Sequence, residues 1–316
     1  MGSLYSKKIT VLGAGASGVS FIKSLRSRDK DIKITLIDKN KYYFDKKKFI
    51  ETLNVKEYLD LTDFSNSDKI EFIQETAVRI NPERKKIYFK EKEPIDFEIL
   101  VIATGAKSKD ISIRGDHREG FFYLSDINLF TMKDLLKICD EAVGCISTIL
   151  GVKLALSLRP LTKEVRILAD NWGHFGSFKE KIVDFLQRNN IPLHLGVSIE
   201  EVIGEAQVKA TKINPLKVFS SQLVFIDSGF VPNLGFFEEG IEAKKDMTTN
   251  YADIYVVGDA NMQSISGDYF YVFNQEEAQS QGALLAQYLL DGKQPFFQRK
   301  IATEEDKAKV IKDIFK

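Results

Sequence analysis

Cysteine is scarce in this chain, and neither sign of charge is in excess. Two cysteines, Cys139 and Cys145, cannot build a disulfide scaffold, and so low a number is typical of a reducing compartment. Lysine plus arginine equals aspartate plus glutamate, at 45 each, so no net charge favours nucleic acid or an anionic membrane. The three histidines are scattered without the spacing of metal ligands, so we expect no metal site.

Long apolar runs are missing as well. No stretch approaches the roughly 20 residues that a transmembrane helix needs. The N-terminus shows no charged start followed by an apolar run, so we expect no secretion signal. We therefore expect a cytoplasmic protein with no transmembrane segment and no nucleic-acid partner. A chain of 316 residues is long enough for two domains with cores of their own.

What the sequence does contain is a glycine-rich loop between a strand and a helix. An apolar strand over 9–12 runs directly into the loop, and a helix over 17–28 follows it. Gly13 allows a tight turn, Gly15 lets the backbone approach a pyrophosphate, and Gly18 lets the helix pack closely on the strand. The start of the helix offers free N–H groups and the positive end of its dipole to the phosphates.

An acidic residue stands where a ribose-binding group is needed. A second apolar strand, over 32–37, ends at Asp38, twenty residues after Gly18. The Asp38 carboxylate can accept hydrogen bonds from the hydroxyls of an adenosine ribose, and its charge would repel a 2′-phosphate. Strand, glycine loop, helix and spaced acid together predict a bound dinucleotide, against the alternative of a tight turn without a ligand.

Near the middle of the chain, a second strand–helix unit has the same order of elements but only one of the three loop glycines. A strand over 142–146 precedes a helix that opens at Gly151, and counting back places Ile146 and Thr148 at the other two glycine positions. Their branched Cβ atoms occupy space that a pyrophosphate would need. Two interpretations stay open: the unit binds NAD(P)H weakly or in a shifted pose, or it is a structural relic and electrons come from a protein partner.

Further motifs follow in the order and at the separations of a known family. They are a strand over 97–103 that ends in Thr104-Gly105, a strand over 254–257 that ends in Gly258-Asp259, and a helix over 275–290. Together with the first glycine loop, they resemble the FAD-dependent pyridine nucleotide–disulfide oxidoreductase superfamily, over about residues 7–292. The combination is far more specific than any one motif.

The resemblance implies an α/β fold with two Rossmann-like domains, the second inserted in the first. The FAD-binding domain would comprise 1–112 and 252–300, and a NAD(P)-binding-like domain would span 113–251. A tail helix would lie within 301–316.

FAD is the dinucleotide that the resemblance places in the first unit. The glycines would cradle the pyrophosphate, the acid after the second strand would hold the ribose, and Asp259 would accept a hydrogen bond from the ribityl chain. The main chain at the start of the helix over 275–290 would face the pyrimidine edge of the flavin. The residues so implied are Gly13, Gly15, Ala16, Ser17, Gly18, Asp38, Lys39, Val78, Ala103, Thr104, Gly105, Gly258 and Asp259.

Within the superfamily the chain is most similar to the NADH:rubredoxin and ferredoxin-reductase-like branch. The similarity lies in aromatic residues at 42–44, in 121–136 and in the turn at 230–233. It implies an FAD-dependent oxidoreductase that passes electrons from NAD(P)H, or from a protein donor, through flavin to a small electron-carrier protein. The alternative is an FAD-carrying electron-transfer or structural subunit of a larger redox complex, without NAD(P)H activity of its own. The oligomeric state stays open, a dimer included.

The chain departs from that branch in its second redox group and at its end. Five residues stand between Cys139 and Cys145, which is neither the CxxC nor the CxxxxC spacing of a redox disulfide. We therefore expect two packed, inert thiols rather than a working disulfide. The branch also adds a C-terminal domain, which we expect this chain to lack.

The catalytic residues stay unknown from the sequence. Lys153 stands where the family often has a glutamate near the flavin, and it either holds an anionic substrate or is a solvated helix residue. One lysine of the run 46–48 is a second candidate, with Lys48 named for that role and a solvated run as the alternative.

Overall fold

The computed structural model describes residues 7–54, 56–170, 173–214, 217–261, 273–292 and 303–314. Its α-helices are α1 (Ala16–Arg28), α2 (Lys46–Thr52), α3 (Leu61–Ser67), α4 (Leu129–Leu135), α5 (Ile149–Leu158), α6 (Lys179–Arg188), α7 (Gln275–Asp291) and α8 (Glu304–Ile314). Its strands are β1 (Ile9–Leu12), β2 (Ile34–Asp38), β3 (Tyr42–Tyr43), β4 (Leu59–Asp60), β5 (Glu71–Gln74), β6 (Ala77–Asn81), β7 (Lys86–Phe89), β8 (Ile95–Asp96), β9 (Ile99–Ile102), β10 (Ala106–Ser108), β11 (Phe121–Tyr123), β12 (Glu141–Ile146), β13 (Glu164–Ala169), β14 (Leu193–Leu195), β15 (Ile199–Gly204), β16 (Val208–Ile213), β17 (Lys217–Ser220), β18 (Leu223–Asp227), β19 (Phe230–Pro232) and β20 (Ile254–Val256).

Five parallel strands form the first sheet, in the order β20-β9-β1-β2-β5. Strands β1 and β9 are buried at every position, as expected for strands covered on both faces. The edge strand β20 follows the inserted second domain in the sequence. The first domain is therefore discontinuous, as the resemblance implies.

A second parallel sheet, in the order β11-β18-β12-β13-β14, forms the core of the inserted domain. The smaller sheets β6-β7-β8 and β15-β16-β17 are antiparallel additions to the two units. The two parallel sheets with their crossover helices confirm the predicted α/β class and the pair of Rossmann-like domains.

Helices α1 and α7 cross at close range on the first sheet. A Cβ atom at Gly282 would lie 2.2 Å from the carbonyl oxygen of Ser17, so only glycine allows this approach. At the preceding position, the buried Gln281 side chain accepts the Gly258 N–H at 2.8 Å. The crossing thus fixes the end of β20 beside the start of α1.

Helix α2 belongs to the first domain by sequence but packs in the second. Its buried Phe49 and Ile50 share a hydrophobic cluster with Val152 of α5. Glu51 pairs with the Lys153 ammonium at 2.5 Å, and its carbonyl oxygen accepts the Ser157 hydroxyl at 2.8 Å. The two domains therefore share one continuous core at this helix.

Helix starts follow their capping residues rather than the glycine pattern. Helix α5, predicted to open at Gly151, begins at Ile149 because the Thr148 side chain accepts the Leu150 N–H. Helix α8 begins after Thr303, whose hydroxyl accepts the Asp306 N–H at 3.1 Å, and it lies within 301–316, the range expected for the tail helix. None of the helices in the described part of the chain is long and apolar enough to cross a membrane.

Candidate functional site: a dinucleotide cleft

A cleft of about 400 Å³ opens at the carboxyl ends of the first sheet. That edge is where ligands bind in open parallel sheets, since the crossovers leave a crevice there. Ten of the thirteen residues predicted to bind FAD line it: Gly13, Gly15, Ala16, Ser17, Asp38, Lys39, Ala103, Thr104, Gly105 and Asp259.

The three glycines of the first loop differ in what they make possible. Gly13 has φ of 104°, and a Cβ atom there would lie 2.4 Å from the Ala103 carbonyl oxygen. A Cβ atom at Gly18 would lie 2.2 Å from the Gly13 carbonyl oxygen. At Gly15 the nearest atom, the same Ala103 oxygen, is 3.7 Å away. Gly13 and Gly18 therefore build the turn, whereas Gly15 leaves open space toward the cleft.

The start of α1 is free to bind an anion. No side chain of the described residues caps it at Gly15, and its first turn carries no acid. The first N–H groups of a helix have no partner within the helix, and they carry the positive end of its dipole. Because the cleft lies directly in front of them, a pyrophosphate fits this position.

Asp38 lies at the same loop, at the end of β2. Its Oδ2 atom accepts the Ala14 N–H at 2.7 Å, and its Oδ1 atom accepts the Asn40 N–H at 2.8 Å. These two bonds hold the carboxylate at the rim of the cleft. A ribose beside the pyrophosphate would find an acceptor there, as the sequence predicts.

The strand end at Thr104 is tied to a turn that is distant in sequence. The Thr104 hydroxyl donates to the Asn233 carbonyl oxygen at 2.7 Å, and the Asn233 N–H donates to the Gly105 carbonyl oxygen at 2.9 Å. Asn233 itself lines the cleft. The turn at 230–233, noted in the sequence only for its resemblance, is thus part of the site.

The far wall is formed by the strand end at Asp259 and the start of α7. Asp259 Oδ2 accepts the Phe273 N–H at 2.8 Å, and Asn274 and Gln275 line the cleft beside it. Gly258 does not line the cleft. A Cβ atom there would lie 2.5 Å from the Ser17 hydroxyl oxygen, so this glycine acts by letting Asp259 approach the first loop.

Three of the predicted binding residues do not line the cleft. Gly18 and Gly258 support it through packing, whereas the Val78 side chain is 50% exposed and only its neighbour Ala77 lines the cleft. The pattern of alternating strand positions puts Val78 on the outer face of β6. Direct binding by Val78 stays a prediction that its side-chain position does not favour.

Lys48 and Lys153, the two lysines named as catalytic candidates, do not line the cleft. Lys48 is exposed and pairs with Glu57 at 2.5 Å, and Lys153 is engaged by Glu51. Of the lysines in the run 46–48, the one that lines the cleft is Lys46. Asp45 caps α2, so Lys46 is its first residue, and Lys48, two positions later, projects about 200° away around the helix. A role for Lys48 at the flavin stays a prediction that its position does not favour, and Lys46 is the better placed lysine of the run.

Lys46 lies at the end of the cleft that Ser125, Asp126 and Phe273 also line. Its ammonium donates to the Ser125 carbonyl oxygen and lies 5.5 Å from the centre of the Phe273 ring. Burial lowers the pKa of Lys46, while the carboxylates of Asp126 and Asp259 oppose this effect. A cation held close to a ligand cleft can stabilise negative charge that develops on the ligand.

The two cysteines are free, and their surroundings suppress thiolate formation. Burial, assisted by Asp140, raises the pKa of Cys139 to about 11. Burial, assisted by Asp227, raises the pKa of Cys145 to about 12. Because the thiolate is the reactive form, both thiols are poor nucleophiles at neutral pH, as the sequence predicts.

We expect both cysteines of the folded protein to react with iodoacetamide at pH 8 at least about 100-fold more slowly than in the unfolded chain, whose thiols have a pKa near 8.5. Alkylation followed by mass spectrometry measures the rate, with protein unfolded in guanidinium as the control. Equal rates, or a Cys139–Cys145 disulfide after mild oxidation, would contradict the assignment of both residues as inert.

The residues that replace glycines in the second loop are buried. Ile146 is 1% exposed and Thr148 is 3% exposed. Thr148 caps α5, so the N-terminal N–H groups of this helix are partly satisfied by protein, in contrast to those of α1. Of the two units, only the first therefore presents an open phosphate-binding loop.

Comparison with known proteins agrees with this architecture. A family model described as pyridine nucleotide-disulphide oxidoreductase matches residues 7–282. The chain is 28% identical over 294 residues to the NADH-rubredoxin oxidoreductase of Clostridium acetobutylicum, covering 80% of this chain and 68% of that protein. It is 24% identical over 281 residues to the NADH oxidase of Methanocaldococcus jannaschii, covering 79% and 62%.

Solved structures show the same fold. A ferredoxin reductase from Rhodopseudomonas palustris superposes with a TM-score of 0.74 at 19% identity, over 93% of this chain and 78% of that one. The chain spans only part of its curated relatives: 62% of the length of the NADH oxidase and 46% of the length of the human apoptosis-inducing factor 3.

Proposed function

Because the chain belongs to the pyridine nucleotide-disulphide oxidoreductase family, whose members use FAD and NAD(P)H, we propose that it is an FAD-dependent oxidoreductase. We further propose that it passes electrons through the flavin to a small electron-carrier protein. FAD supplies the redox chemistry, and the protein supplies orientation, electrostatics and shielding from water.

The observation that carries the proposal is the open loop at Gly15, in front of the uncapped start of α1. The N–H groups there would hold the pyrophosphate, and Asp38 would hold the adenosine ribose. Asp259, on the opposite wall, would accept a hydrogen bond from the ribityl chain. Each of these groups lines the same cleft, so one extended dinucleotide can reach them all.

The flavin ring would then lie at the end of the cleft lined by Lys46, Phe273 and Asn274. Asn274 caps α7, whose N-terminus points its positive dipole end toward that region. With the Lys46 ammonium nearby, this end of the cleft favours negative charge, which suits a flavin in its reduced form. No proton donor or acceptor side chain is required for electron transfer.

A one-electron carrier protein suits the described site better than a disulfide substrate relay does. The two cysteines are buried or partly buried with raised pKa values, so they cannot relay electrons from the flavin as a redox pair. A rubredoxin oxidoreductase and a ferredoxin reductase are among the similar proteins. They support an iron-bearing carrier as the acceptor class.

Anaerobic stopped-flow mixing tests the acceptor without any assumption about the donor. The FAD-loaded protein is reduced with one equivalent of dithionite and mixed with oxidised rubredoxin or [2Fe–2S] ferredoxin. We expect the flavin band to return with two carriers reduced per flavin, since FAD releases two electrons and each carrier accepts one. A flavin that is reoxidised no faster than in carrier-free anaerobic buffer would refute the proposal.

A second candidate function has support from the buried residues of the second loop. In it the chain is an FAD-carrying electron-transfer or structural subunit of a larger complex, without NAD(P)H activity of its own. The burial of Ile146 and Thr148 favours this alternative over a standard NAD(P)H site. Both candidates share the FAD cleft, and they differ in how the flavin is reduced.

A further inference from the structure

A buried carboxyl group closes the strand–helix loop of the second domain. Asp227 ends β18, which lies beside β12, and it is completely buried. Its Oδ2 atom accepts the Thr148 N–H at 2.7 Å, the Thr148 hydroxyl at 2.9 Å and the Ser147 N–H at 3.3 Å. The two backbone N–H groups are donors of the kind that a Rossmann loop would present to a phosphate.

The one glycine that survives in this loop makes room for protein atoms. A Cβ atom at Gly151 would lie 2.5 Å from Asp227 Oδ2 and 2.7 Å from Ile146 Cγ2. The equivalent glycine of the first loop, Gly18, also lacks room for a Cβ atom, but the atom that fills the space there is the Gly13 carbonyl oxygen and not a carboxyl group. Gly151 is therefore explained by the packing of Asp227 and Ile146, without a dinucleotide.

We infer that Asp227 occupies the pyrophosphate position of the second domain, so neither NADH nor NADPH binds through this loop. The inference rests on the proposed function only in treating the flavin as the group to be reduced. Electrons then reach the flavin by a route that does not use a nicotinamide dinucleotide held on the loop between β12 and α5.

The inference holds for either protonation state of Asp227. Burial raises its pKa, while the hydrogen bonds from Thr148 and Ser147 oppose this effect. As a carboxylate, Asp227 would repel a pyrophosphate; as a neutral acid, it would still occupy the donors and the space.

Binding to the FAD-saturated wild-type protein is the first test. Calorimetric titration with NADH, NADPH and ADP-ribose is expected to give no saturable binding, with a Kd above about 1 mM. Saturation of the first site with FAD prevents the probes from binding there. A Kd below about 100 μM, with NADH and ADP-ribose competing for one site, would overturn the inference.

Two variants distinguish the effect of Asp227 from the effects of Ile146 and Thr148. The triple variant Ile146→Gly/Thr148→Gly/Asp227→Ala restores the open loop, and we expect ADP-ribose to bind at least about tenfold more tightly than to wild type. The double variant Ile146→Gly/Thr148→Gly keeps Asp227 and is expected to show no gain. Equal gains in the two variants would contradict the role of Asp227. If the triple variant does not fold, the wild-type titration still decides the inference.

Flavin reduction gives an independent readout. Under anaerobic conditions, we expect NADH to bleach the wild-type flavin slowly and in proportion to its concentration, without saturation, whereas dithionite bleaches it at once. Fast, saturating bleaching by NADH would refute the inference. The carrier experiment with dithionite-reduced protein is unaffected by either result, so failure of the proposed function is distinguishable from failure of this inference.

Discussion

Replacing Gly15 with valine is expected to give a folded protein that purifies without FAD. Gly15 has extended backbone angles that any residue adopts, and the nearest atom to an added Cβ is 3.7 Å away. The valine methyl groups would instead project into the cleft, where the pyrophosphate must approach the backbone. We expect FAD affinity to fall at least about 100-fold, or about 2.7 kcal/mol. The ratio of the flavin band to the protein band measures bound FAD.

The matched control is Gly18→Ala in the same loop. Its Cβ atom would lie 2.2 Å from the Gly13 carbonyl oxygen, so the loop and α1 must separate. We expect a loss of stability of about 1–3 kcal/mol or more, measured by thermal unfolding of the apoprotein. If Gly15→Val retained FAD, or if it unfolded as readily as Gly18→Ala, the assignment of Gly15 to the pyrophosphate would be wrong.

Replacing Lys46 with methionine is expected to make the flavin harder to reduce. Methionine keeps much of the volume of the side chain but removes the ammonium that lines the proposed flavin end of the cleft. We expect the midpoint potential to fall by about 30–60 mV, because about 30 mV corresponds to 1.4 kcal/mol for a two-electron couple. Titration with dithionite against a reference dye measures the potential.

Lys48→Met is the control, since Lys48 is exposed and paired with Glu57 on the other side of α2. It is expected to leave the potential unchanged. The pKa of Lys46 is lowered by burial, so its ammonium is present below that pKa and is lost as the pH rises through it. The difference between wild type and Lys46→Met should therefore shrink toward high pH. Identical potentials at neutral pH would contradict the role of Lys46.

The sequence could indicate a candidate first site because the signals for it are local. The loop glycines, the acid at Asp38 and the strand ends at Thr104 and Asp259 each act through their own backbone position. The match of the family to residues 7–282 confirms the resemblance that these motifs carried. Parallel strands gather at one edge of a sheet, so local motifs in the right order are enough to predict a shared cleft.

The remaining features depend on contacts that no local pattern reveals. Asp227 is 79 positions beyond Thr148, and nothing in the strand over 223–227 marks its last residue as a partner of that loop. The choice of Lys46 over Lys48 depends on where Asp45 starts the helix, since one residue of register changes the face by about 100°. Both follow from the packing of distant segments.

Helix α2 makes the two Rossmann units inseparable. Its first residue lines the FAD cleft, while Phe49 and Ile50, within the same two turns, fill the core of the other unit. A gene fragment that encoded 113–251 alone would leave that core uncovered and prone to aggregation. The inserted unit can therefore lack a bound dinucleotide and still be needed for folding, because helix α2 of the FAD-binding domain packs against its core.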